Sequence, residues 1–487
     1  MDLSTSLQLV VPELILTAAG LILLLAAAWG GDKPARTITI AAVAALFGAG
    51  FALVPTLHDG LMGVETNAFG TLFRADAYAA FAKALIYLAA IGALMIAPAW
   101  FDKRDALRSE YPILVLFATV GMSIMVSAGD FLTLYLGLEL NSLAAYVLAA
   151  FLRDDRRSAE AGLKYFVLGA LASGILLYGM SLLYGFTGST DFAGVKAALS
   201  GDLSTGALFG VVFVLAGLAF KIAAAPFHMW TPDVYEGAPT PVTTFFATAP
   251  KVAAVALTGR VVFDVFGGQV DAWRQIVIFI ALLSIVIGAL GAIGQENIKR
   301  LLAYSSINNV GFILIGLAAA TAAGASAMLV YLFIYVAMSL GSFVAVLMLK
   351  DEDGNDVESI SGMAGMVKEQ PLLSWCLFFL MLSLAGIPPL FGFWGKFVVF
   401  QAAVQADLVV LAALGIAASV IGAFYYLKVC KIIMFDDPAG VVTGNSDKSH
   451  WTLLLITSAI ISPLGYLLTP SLGDLANKAA EALFLTL

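Results

Sequence analysis

The chain has 487 residues, of which 61% are hydrophobic and 12% are charged. Soluble proteins are about half apolar and about a quarter charged, so the composition excludes a soluble globular protein and predicts an integral membrane protein. The net charge of −8 argues against binding to nucleic acid, which requires a basic face.

The chain contains fourteen apolar runs, and each predicts a membrane-spanning helix because a span needs about 20 residues. The runs are too long, and too rich in Ala, Leu and Gly, for the alternating strands of an outer-membrane barrel. We therefore predict an all-α, polytopic membrane protein. In chain order the predicted spans are residues 11–29, 37–57, 78–100, 112–128, 131–152, 161–186, 207–230, 242–259, 273–294, 301–319, 322–349, 372–401, 408–427 and 451–468.

Two of the predicted spans contain helix breakers and should be discontinuous. In span 7, Lys221 is followed by Ala-Ala-Ala-Pro-Phe-His-Met-Trp-Thr-Pro, and in span 12, Lys396 follows Gly-Ile-Pro-Pro-Leu-Phe-Gly-Phe-Trp-Gly. Broken helices at corresponding places are typical of transporters that are built from repeats. Spans 7 and 12 are five apart, which predicts two five-helix repeats, spans 4–8 and spans 9–13, with inverted topology because five is odd.

The spans leave no room for a sizeable soluble domain, so residues 1–487 are predicted to form a single integral membrane domain. Its parts are the N-terminal helices (1–110), the first repeat (111–263), the second repeat (273–435) and the last helix with the tail (449–487). The repeat is imperfect, because Lys221 precedes its break and Lys396 follows its break. Lys251 in span 8 also has no deep counterpart in span 13, which offers only Lys428 near its end.

The distribution of Lys and Arg predicts the orientation, since positively charged loops stay on the cytoplasmic side. Fifteen of the 25 Lys and Arg residues lie in loops after odd-numbered spans, and five lie on the opposite side. This bias predicts both termini on the outer face of the membrane, although the loops around span 8 run against it. No Lys or Arg precedes span 1, which is therefore expected to be a retained helix and not a signal peptide.

Five lysines and one glutamate near the middle of its span lie inside the predicted spans, where a charge costs about 3 kcal/mol even on a lenient insertion scale. Such costly residues typically line a polar path. They are Lys83, Lys164, Lys221, Lys251, Lys396 and Glu139.

Each of these residues also has a structural interpretation. Lys83 and Lys164 lie near the ends of their spans and could extend their ammonium groups to the membrane surface. A further acid, Glu13, lies near the start of span 1, where it complements the helix dipole and needs no function. Four residues lie too deep to reach the membrane surface, so the sequence favours a functional role for them over a buried structural ion pair. They are Glu139, Lys221, Lys251 and Lys396.

Buried lysines with one buried glutamate are suited to proton transfer. Burial favours the neutral form of a lysine and a nearby carboxylate favours the charged form, so making or breaking the pair can move a proton. Arginine would stay protonated. Among the polar neighbours that could connect the carriers, His228 is the best candidate, because imidazole titrates near neutrality. The others are more often interhelical hydrogen bonds; they are Asn141, Ser142, Tyr304, Ser305, Ser306 and Asn308.

The chain has two cysteines, Cys376 and Cys430, which lie far apart in apolar surroundings. Neither an iron–sulfur cluster with thiolate ligands nor a disulfide framework is expected from them. Any redox chemistry is therefore expected in partner proteins.

Four motifs in order along the chain resemble the antiporter-like subunits of respiratory complex I, NADH:quinone oxidoreductase. They are LYLGLELNSLAAYVL (134–148), GLAFKIAAAPFHMWTPDVYEGAPTPVTTFFATAPKVA (217–253), NIKRLLAYSSINNVGF (297–312) and AGIPPLFGFWGKF (385–397). The resemblance covers nearly the whole chain. The residues of these motifs are most similar to the bacterial N type and to mitochondrial ND subunit two. The M type carries a glutamate in span 12, where this chain has Lys396.

The resemblance implies a role for each residue. In that family the glutamate of span 5, here Glu139, modulates a proton-carrying lysine, here Lys221. The lysines of spans 6, 8 and 12 correspond to Lys164, Lys251 and Lys396, which with this pair would form a polar axis in the membrane. Lys83 has no counterpart among these roles.

The resemblance also implies partners and cofactors. The expected partners are other membrane subunits of complex I, of the M and K types, and lipids. NADH, FMN, the iron–sulfur clusters and quinone would be bound by partner subunits, with no cofactor in this chain. Two alternatives stay open: a subunit of an Mrp-type sodium/proton antiporter, and a scaffold subunit whose charges only stabilise assembly.

Overall fold

A computed structural model of the chain describes residues 3–63, 66–201, 203–440, 442–444 and 447–484, and helices make up nearly all of this part. The helices of the N-terminal half are α1 (Leu3–Leu9), α2 (Val11–Gly30), α3 (Ala35–Ala52), α4 (Val54–Leu61), α5 (Ala77–Asp102), α6 (Glu110–Val126), α7 (Phe131–Ala149), α8 (Arg156–Thr187), α9 (Phe192–Ala198), α10 (Thr205–Lys221), α11 (Trp230–Gly237), α12 (Thr240–Ala247) and α13 (Ala249–Arg260), which continues as a π-helix (Val261–Val265). Those of the C-terminal half are α14 (Val270–Ile293), α15 (Ile298–Ala318), α16 (Ala322–Met348), α17 (Pro371–Ala385), α18 (Phe391–Gln405), α19 (Val409–Phe435), α20 (Lys448–Ile461) and α21 (Thr469–Glu481), with short 3₁₀ turns at Gly267–Gln269, Ser361–Met363, Met366–Lys368 and Pro463–Leu468.

Side-chain caps define the start of many helices, because a polar side chain satisfies backbone N–H groups that the first turn leaves free. The caps are Asp76, Asp130, Asp155, Asp191, Ser204, Asn297, Thr321 and Asp447. Most of these residues lie in the short connections between predicted spans, which is why the helices begin close to the predicted boundaries.

Every predicted span coincides with helix, but not every helix is long enough to cross a membrane. Within the described ranges ten helical stretches qualify, and two bent pairs bring the number to twelve. Predicted spans 4 and 7 correspond to α6 and α10, which have 17 residues each. Such a helix is about 25 Å long, less than the roughly 30 Å of the hydrocarbon core. By length and composition the described helices thus provide ten to twelve candidate spans, and α6 and α10 lie at the short end of the range that can span a membrane.

One small sheet interrupts the helical fold. Strands β1 (Thr66–Ala68) and β2 (Phe73–Ala75) form an antiparallel hairpin in which Asn67 lies opposite Arg74. The hairpin follows the short, half-polar helix α4 and leads directly into α5. The last predicted span also differs from its prediction, since α20 ends at Ile461 and the chain bends by 68° into the segment Pro463–Glu481.

The predicted breaks in spans 7 and 12 are confirmed. Helix α10 ends at Lys221 and the chain becomes helical again at Trp230, whereas α17 ends at Ala385 and α18 begins at Phe391. Each gap contains a cis Xaa-Pro peptide bond, at Ala225–Pro226 and at Pro388–Pro389. Both breaks leave backbone carbonyls and amides without helical partners inside the bundle.

Equivalent glycines bring helices together in the two halves. Gly121 of α6 lies so close to α7 that a Cβ on it would be 2.5 Å from the backbone nitrogen of Asn141. A Cβ on Gly288 of α14 would likewise be 2.5 Å from the backbone nitrogen of Asn308 of α15. Small residues allow this close approach of membrane helices. The parallel supports the predicted repeat, whose five-helix extent stays a prediction.

The position of each helix determines which polar groups are interior. Helices α15 and α16 are buried on nearly all sides, whereas α2 and α19 expose long apolar faces. Polar side chains on α15 and α16 are therefore surrounded by protein.

Candidate functional site

Glu139 and Lys221 are connected through one serine. The Lys221 ammonium, at the last residue of α10, donates to Ser142 Oγ (2.9 Å) and to Ser173 Oγ (3.1 Å). The Ser173 hydroxyl in turn donates to Glu139 Oε1 (2.5 Å). Helices α7, α8 and α10 thus bring the predicted pair together, with a serine between the two charges instead of a direct ion pair.

Small residues hold these helices close enough for that bridge. Gly217 of α10 lies against Leu176 of α8, where a Cβ at residue 217 would be 2.6 Å from the Leu176 Cβ. On the other side of α7, Glu139 is only half-buried, and its neighbours Leu132, Leu136 and Leu143 are exposed. The carboxylate therefore lies between the interior lysine and the lateral surface of the bundle.

Lys251 is buried on α13 and contacts the break that follows Lys221. Its ammonium donates to the carbonyl of Ile222 (3.0 Å), which the interrupted α10 leaves free. A cation at this end of a helix is favoured by the helix dipole. The break therefore links Lys221 to Lys251, and no ion pair with a carboxylate holds Lys251 within the described residues.

Lys396 occupies a similar position at the second break. Its ammonium donates to the carbonyl of Ala385 (2.9 Å), the last residue of α17, and to Ser419 Oγ of α19 (3.2 Å). It also lies over the ring of Phe312, 4.6 Å from the ring centroid. The side chain is 6% exposed. Like Lys251, this lysine is held by a helix end and neutral groups, without a carboxylate among the contacts of the described residues.

A network of hydroxyl and amide groups lies on α15 between the two halves. Ser305 hydrogen-bonds Tyr426 (2.5 Å), and Asn309 accepts from Tyr331 (2.7 Å). Asn309 also donates to Ser305 Oγ (3.3 Å) and to Tyr426 (3.4 Å). Ser306 hydrogen-bonds Tyr335 (2.8 Å). Phe312, whose ring lies under Lys396, follows Asn309 by three residues on the same helix.

Lys164 and His228 lie apart from this arrangement. The Lys164 side chain is 42% exposed and pairs with Glu160 and Asp233, each at 2.8 Å. Asp233 also pairs with Arg300 (2.6 Å), so Lys164 belongs to a cluster of ion pairs. This cluster lies at the end of the bundle where the loops after odd-numbered predicted spans are found. His228 is half-buried in the first break, where its Nδ1 has no hydrogen-bond partner among the described residues.

Lys83 does not reach the surface, contrary to the structural interpretation offered by the sequence. Its ammonium lies 2.7 Å from Glu13 Oε1, with the two side chains 3% and 7% exposed, and 4.5 Å from the ring centroid of Phe73. The covering ring belongs to β2, which the sequence did not predict. Glu13 therefore does more than complement a helix dipole, since it neutralises a buried lysine of α5.

The predicted polar neighbours have different outcomes. Ser142 accepts a hydrogen bond from Lys221. Ser305 and Ser306 belong to the network on α15. Asn308 instead donates to the carbonyl of Ile285 (2.8 Å) and so links α15 to α14. Asn141 is buried, and its Oδ1 has no partner in the described part of the chain. Tyr304 is only half-buried.

Sequence reasoning missed several contact residues. A single serine or tyrosine in an apolar helix carries no signal of its own, so only a search for every polar residue in a span would have found them. They are Ser173, Asn309, Tyr331, Tyr335, Ser419 and Tyr426.

The described residues contain no group of three or more His, Cys, Asp or Glu side chains that could hold a metal ion. Cys376 and Cys430 are both buried free thiols. The ionisable groups that the arrangement brings together are lysines and a carboxylate, linked by hydroxyl groups that can exchange protons with them.

Comparisons with known proteins show which proteins the chain is similar to. A family model described as NADH:quinone oxidoreductase/Mrp antiporter, TM, matches residues 128–422. NADH-quinone oxidoreductase subunit N of Erythrobacter litoralis is 70% identical over 485 residues and covers 100% of both chains. In a structure of respiratory complex I from Thermus thermophilus with bound aureothin, one chain is 31% identical, covering 95% of this chain and 99% of that one, with a TM-score of 0.79. A chain of the Mrp complex from Dietzia is 24% identical, covering 99% and 98%, with a TM-score of 0.83, which shows a shared fold.

Proposed function

The chain belongs to the N subunits of NADH-quinone oxidoreductase, the antiporter-like, proton-translocating membrane subunits of respiratory complex I, and we propose that it carries protons along Glu139, Lys221, Lys251 and Lys396. Quinone reduction in other subunits supplies the energy. The hydrogen bonds that join Glu139 to Lys221 through Ser173 carry this proposal.

The serine bridge couples the charge of Glu139 to the protonation of Lys221. A hydroxyl donates one hydrogen bond and accepts others, so Ser173 donates to the carboxylate while it accepts from the ammonium. With Glu139 charged, this orientation stabilises protonated Lys221. When a change at the lateral surface neutralises or displaces Glu139, that stabilisation is lost and Lys221 releases its proton.

The released proton passes toward the second half of the chain. Lys251 is the next acceptor, because the carbonyl of Ile222 holds its amino group at the break beside Lys221. Between Lys251 and Lys396 we assign the transfer to the hydroxyl and amide groups on α15, together with water. The second break supplies the Ala385 carbonyl to Lys396. Because the contacts of both lysines among the described residues are neutral groups, no ion pair in this part of the chain fixes either lysine in the charged state.

Two further predicted residues keep their proposed roles. We assign Lys164 to proton uptake, since its ion pairs with Glu160 and Asp233 lie at the end of the bundle with the odd-numbered loops. We assign His228 to proton relay in the first break, where its half-buried ring lies between the end of α10 and the start of α11. Lys83 receives no role in translocation.

The setting of the chain follows from its family. It is part of respiratory complex I together with other subunits, and subunits of this kind carry no redox cofactor. We propose that NADH, FMN, the iron–sulfur clusters and quinone are bound by partners, that M-like and K-like subunits and lipids are its neighbours, and that the membrane is the bacterial inner membrane.

Replacing Ser173 with alanine tests the bridge. We expect Ser173→Ala to assemble normally but to lower the number of protons translocated per NADH, because hydrogen bonds to charged groups contribute about 1.5–3 kcal/mol. Ser181→Ala on the same helix is the matched control, since Ser181 is exposed. The measurement is proton translocation normalised to NADH oxidation in reconstituted complex. An unchanged ratio in Ser173→Ala would contradict the coupling.

The proposed orientation, with both termini on the periplasmic side, is tested by thiol labelling. Asp154 lies in the loop after the fifth predicted span, and its side chain is 98% exposed. We expect Asp154→Cys to react with a membrane-impermeant thiol reagent in inverted vesicles and not in intact cells, because this loop carries three arginines. Labelling from outside intact cells would show that the chain has the opposite orientation.

A further inference from the structure

Helix α11, which follows the first break, is only eight residues long. Isolated helices shorter than about 12–15 residues are marginal, so the position of α11 depends on tertiary contacts. At its start, the Trp230 indole donates to the carbonyl of Phe220 (3.1 Å), the residue before Lys221, and stacks on Tyr165 with ring centroids 4.4 Å apart. The position of α11 is therefore linked to the backbone that carries Lys221.

The other end of α11 is held by Lys299, in the first turn of α15. The Lys299 ammonium donates to the carbonyls of Glu236 (2.9 Å) and Ala238 (2.8 Å). It also donates to Glu358 Oε1 (3.3 Å). The last carbonyls of a helix lack helical partners, and a cation is favourable there. The next residue, Arg300, pairs with the Glu236 carboxylate (3.0 Å) but is 30% exposed, so Lys299 provides the buried contact.

The surroundings of Lys299 differ from those of the buried lysines Lys251 and Lys396. An ammonium group has three N–H donors, and Lys299 has three oxygen acceptors for them, one of which is a carboxylate. Asn297, the cap of α15, donates to the second oxygen of Glu358 (3.1 Å) and keeps that carboxylate in place. A buried cation with a full set of partners is suited to holding a helix and not to releasing a proton.

This contact is made in one direction between the two halves of the chain. Equivalent residues of α7 and α15 are 167 apart, as shown by the helix caps Asp130 and Asn297 and by the matching glycine contacts of the two halves. Lys299 therefore corresponds to Leu132, which is exposed. The second half thus holds the broken helix of the first half through a lysine that the equivalent helix α7 does not have.

We propose that Lys299 is a positioning residue for proton transfer through Lys221. By holding the end of α11 on α15, it keeps the first break, and with it the end of α10, in the arrangement in which Lys221 exchanges its proton. This inference rests on the proposed function. Lys299 itself keeps its proton throughout. Because α11 belongs to the first half and α15 carries the network of hydroxyl and amide groups, the contact also fixes the two halves relative to each other.

Replacing Lys299 with arginine and with methionine tests this role in reconstituted complex. A cavity of about 610 Å³ adjoins Lys299, so a guanidinium has room to donate to the same carbonyls. We expect Lys299→Arg to keep the wild-type ratio of protons to NADH. Lys299→Met has no donor, and we expect it to lower the ratio by about half or more. Lys431→Met is the matched control, because Lys431 is a 67% exposed lysine on α19.

A second measurement follows α11 itself. Hydrogen exchange of backbone amides in the intact complex reports local opening. We expect residues 230–237 to exchange about tenfold faster in Lys299→Met, because hydrogen bonds to a charged group are lost. Lys299→Arg should exchange at the wild-type rate, as should Lys396→Arg, which leaves the contacts of α11 intact.

The outcomes separate this inference from the proposed function. Loss of proton translocation in an assembled Lys299→Arg complex would overturn the positioning role, because it would mean that position 299 must release a proton. Faster exchange of α11 with an unchanged ratio in Lys299→Met would also overturn it. If Lys299→Met does not assemble, Lys299→Gln replaces it, and a wild-type ratio in that neutral variant would contradict the role of the cation. A wild-type ratio in Lys396→Arg would instead contradict the proposed function, whatever the variants of Lys299 show.

Discussion

Lys396→Arg is expected to assemble into a complex that oxidises NADH but translocates no protons through this subunit. Arginine retains the positive charge and most of the volume of lysine, but it stays protonated in proteins. The contacts of Lys396, which are the Ala385 carbonyl, the Ser419 hydroxyl and the ring of Phe312, all accept a guanidinium. The substitution therefore removes proton release and leaves the cation in place.

The measurement is the ratio of protons translocated to NADH oxidised in reconstituted complex. Lys428→Arg provides the matched control, because Lys428 lies on α19 and donates to the Ile293 carbonyl at 3.4 Å. A scaffold role predicts that arginine works as well as lysine at position 396, since it pairs with acceptors at least as strongly. A wild-type ratio in Lys396→Arg would exclude Lys396 as a carrier.

The sequence predicted the helical architecture and both breaks because these depend on local chemistry. Apolar runs of sufficient length require helices, and the prolines after Lys221 and before Lys396 interrupt them. The lengths of individual helices were less predictable, because hydropathy does not reveal where a helix starts and stops inside an apolar run. Helix α10, for example, has 17 residues and ends at Lys221, although its predicted span continues to residue 230.

The contacts of the candidate site were less predictable because they are made between distant parts of the chain. Glu13 and Lys83 are 70 residues apart, and nothing local to Lys83 indicates its buried partner. The sequence placed the start of span 6 at residue 161, but the helix begins at Arg156. Lys164 therefore lies in the third turn of this helix, near its exposed end. Ser173 is one serine in an apolar helix, so its place between Glu139 and Lys221 could only come from packing.

Glu139→Ala is expected to abolish translocation through this subunit, because the variant removes the charge that controls Lys221. The two hydrogen bonds through Ser173 are 2.5 and 3.1 Å long. They keep Oε1 and Nζ within about 6 Å, where opposite charges attract by about 3 kcal/mol at an effective dielectric constant of about 20. Glu139→Ala removes this attraction, which favours the charged form of Lys221.

Three substitutions at position 139 distinguish charge from shape. Glu139→Gln retains the hydrogen bond from Ser173 without the charge, and we expect it to fail as Glu139→Ala does. Glu139→Asp retains the charge about 1.5 Å farther from the serine, so partial translocation is expected. Glu110→Gln, at an exposed glutamate on α6, is the control. The measurement is the ratio of protons translocated to NADH oxidised in reconstituted complex. Full activity of Glu139→Gln would mean that Lys221 requires the hydrogen bond at position 139 and not the charge.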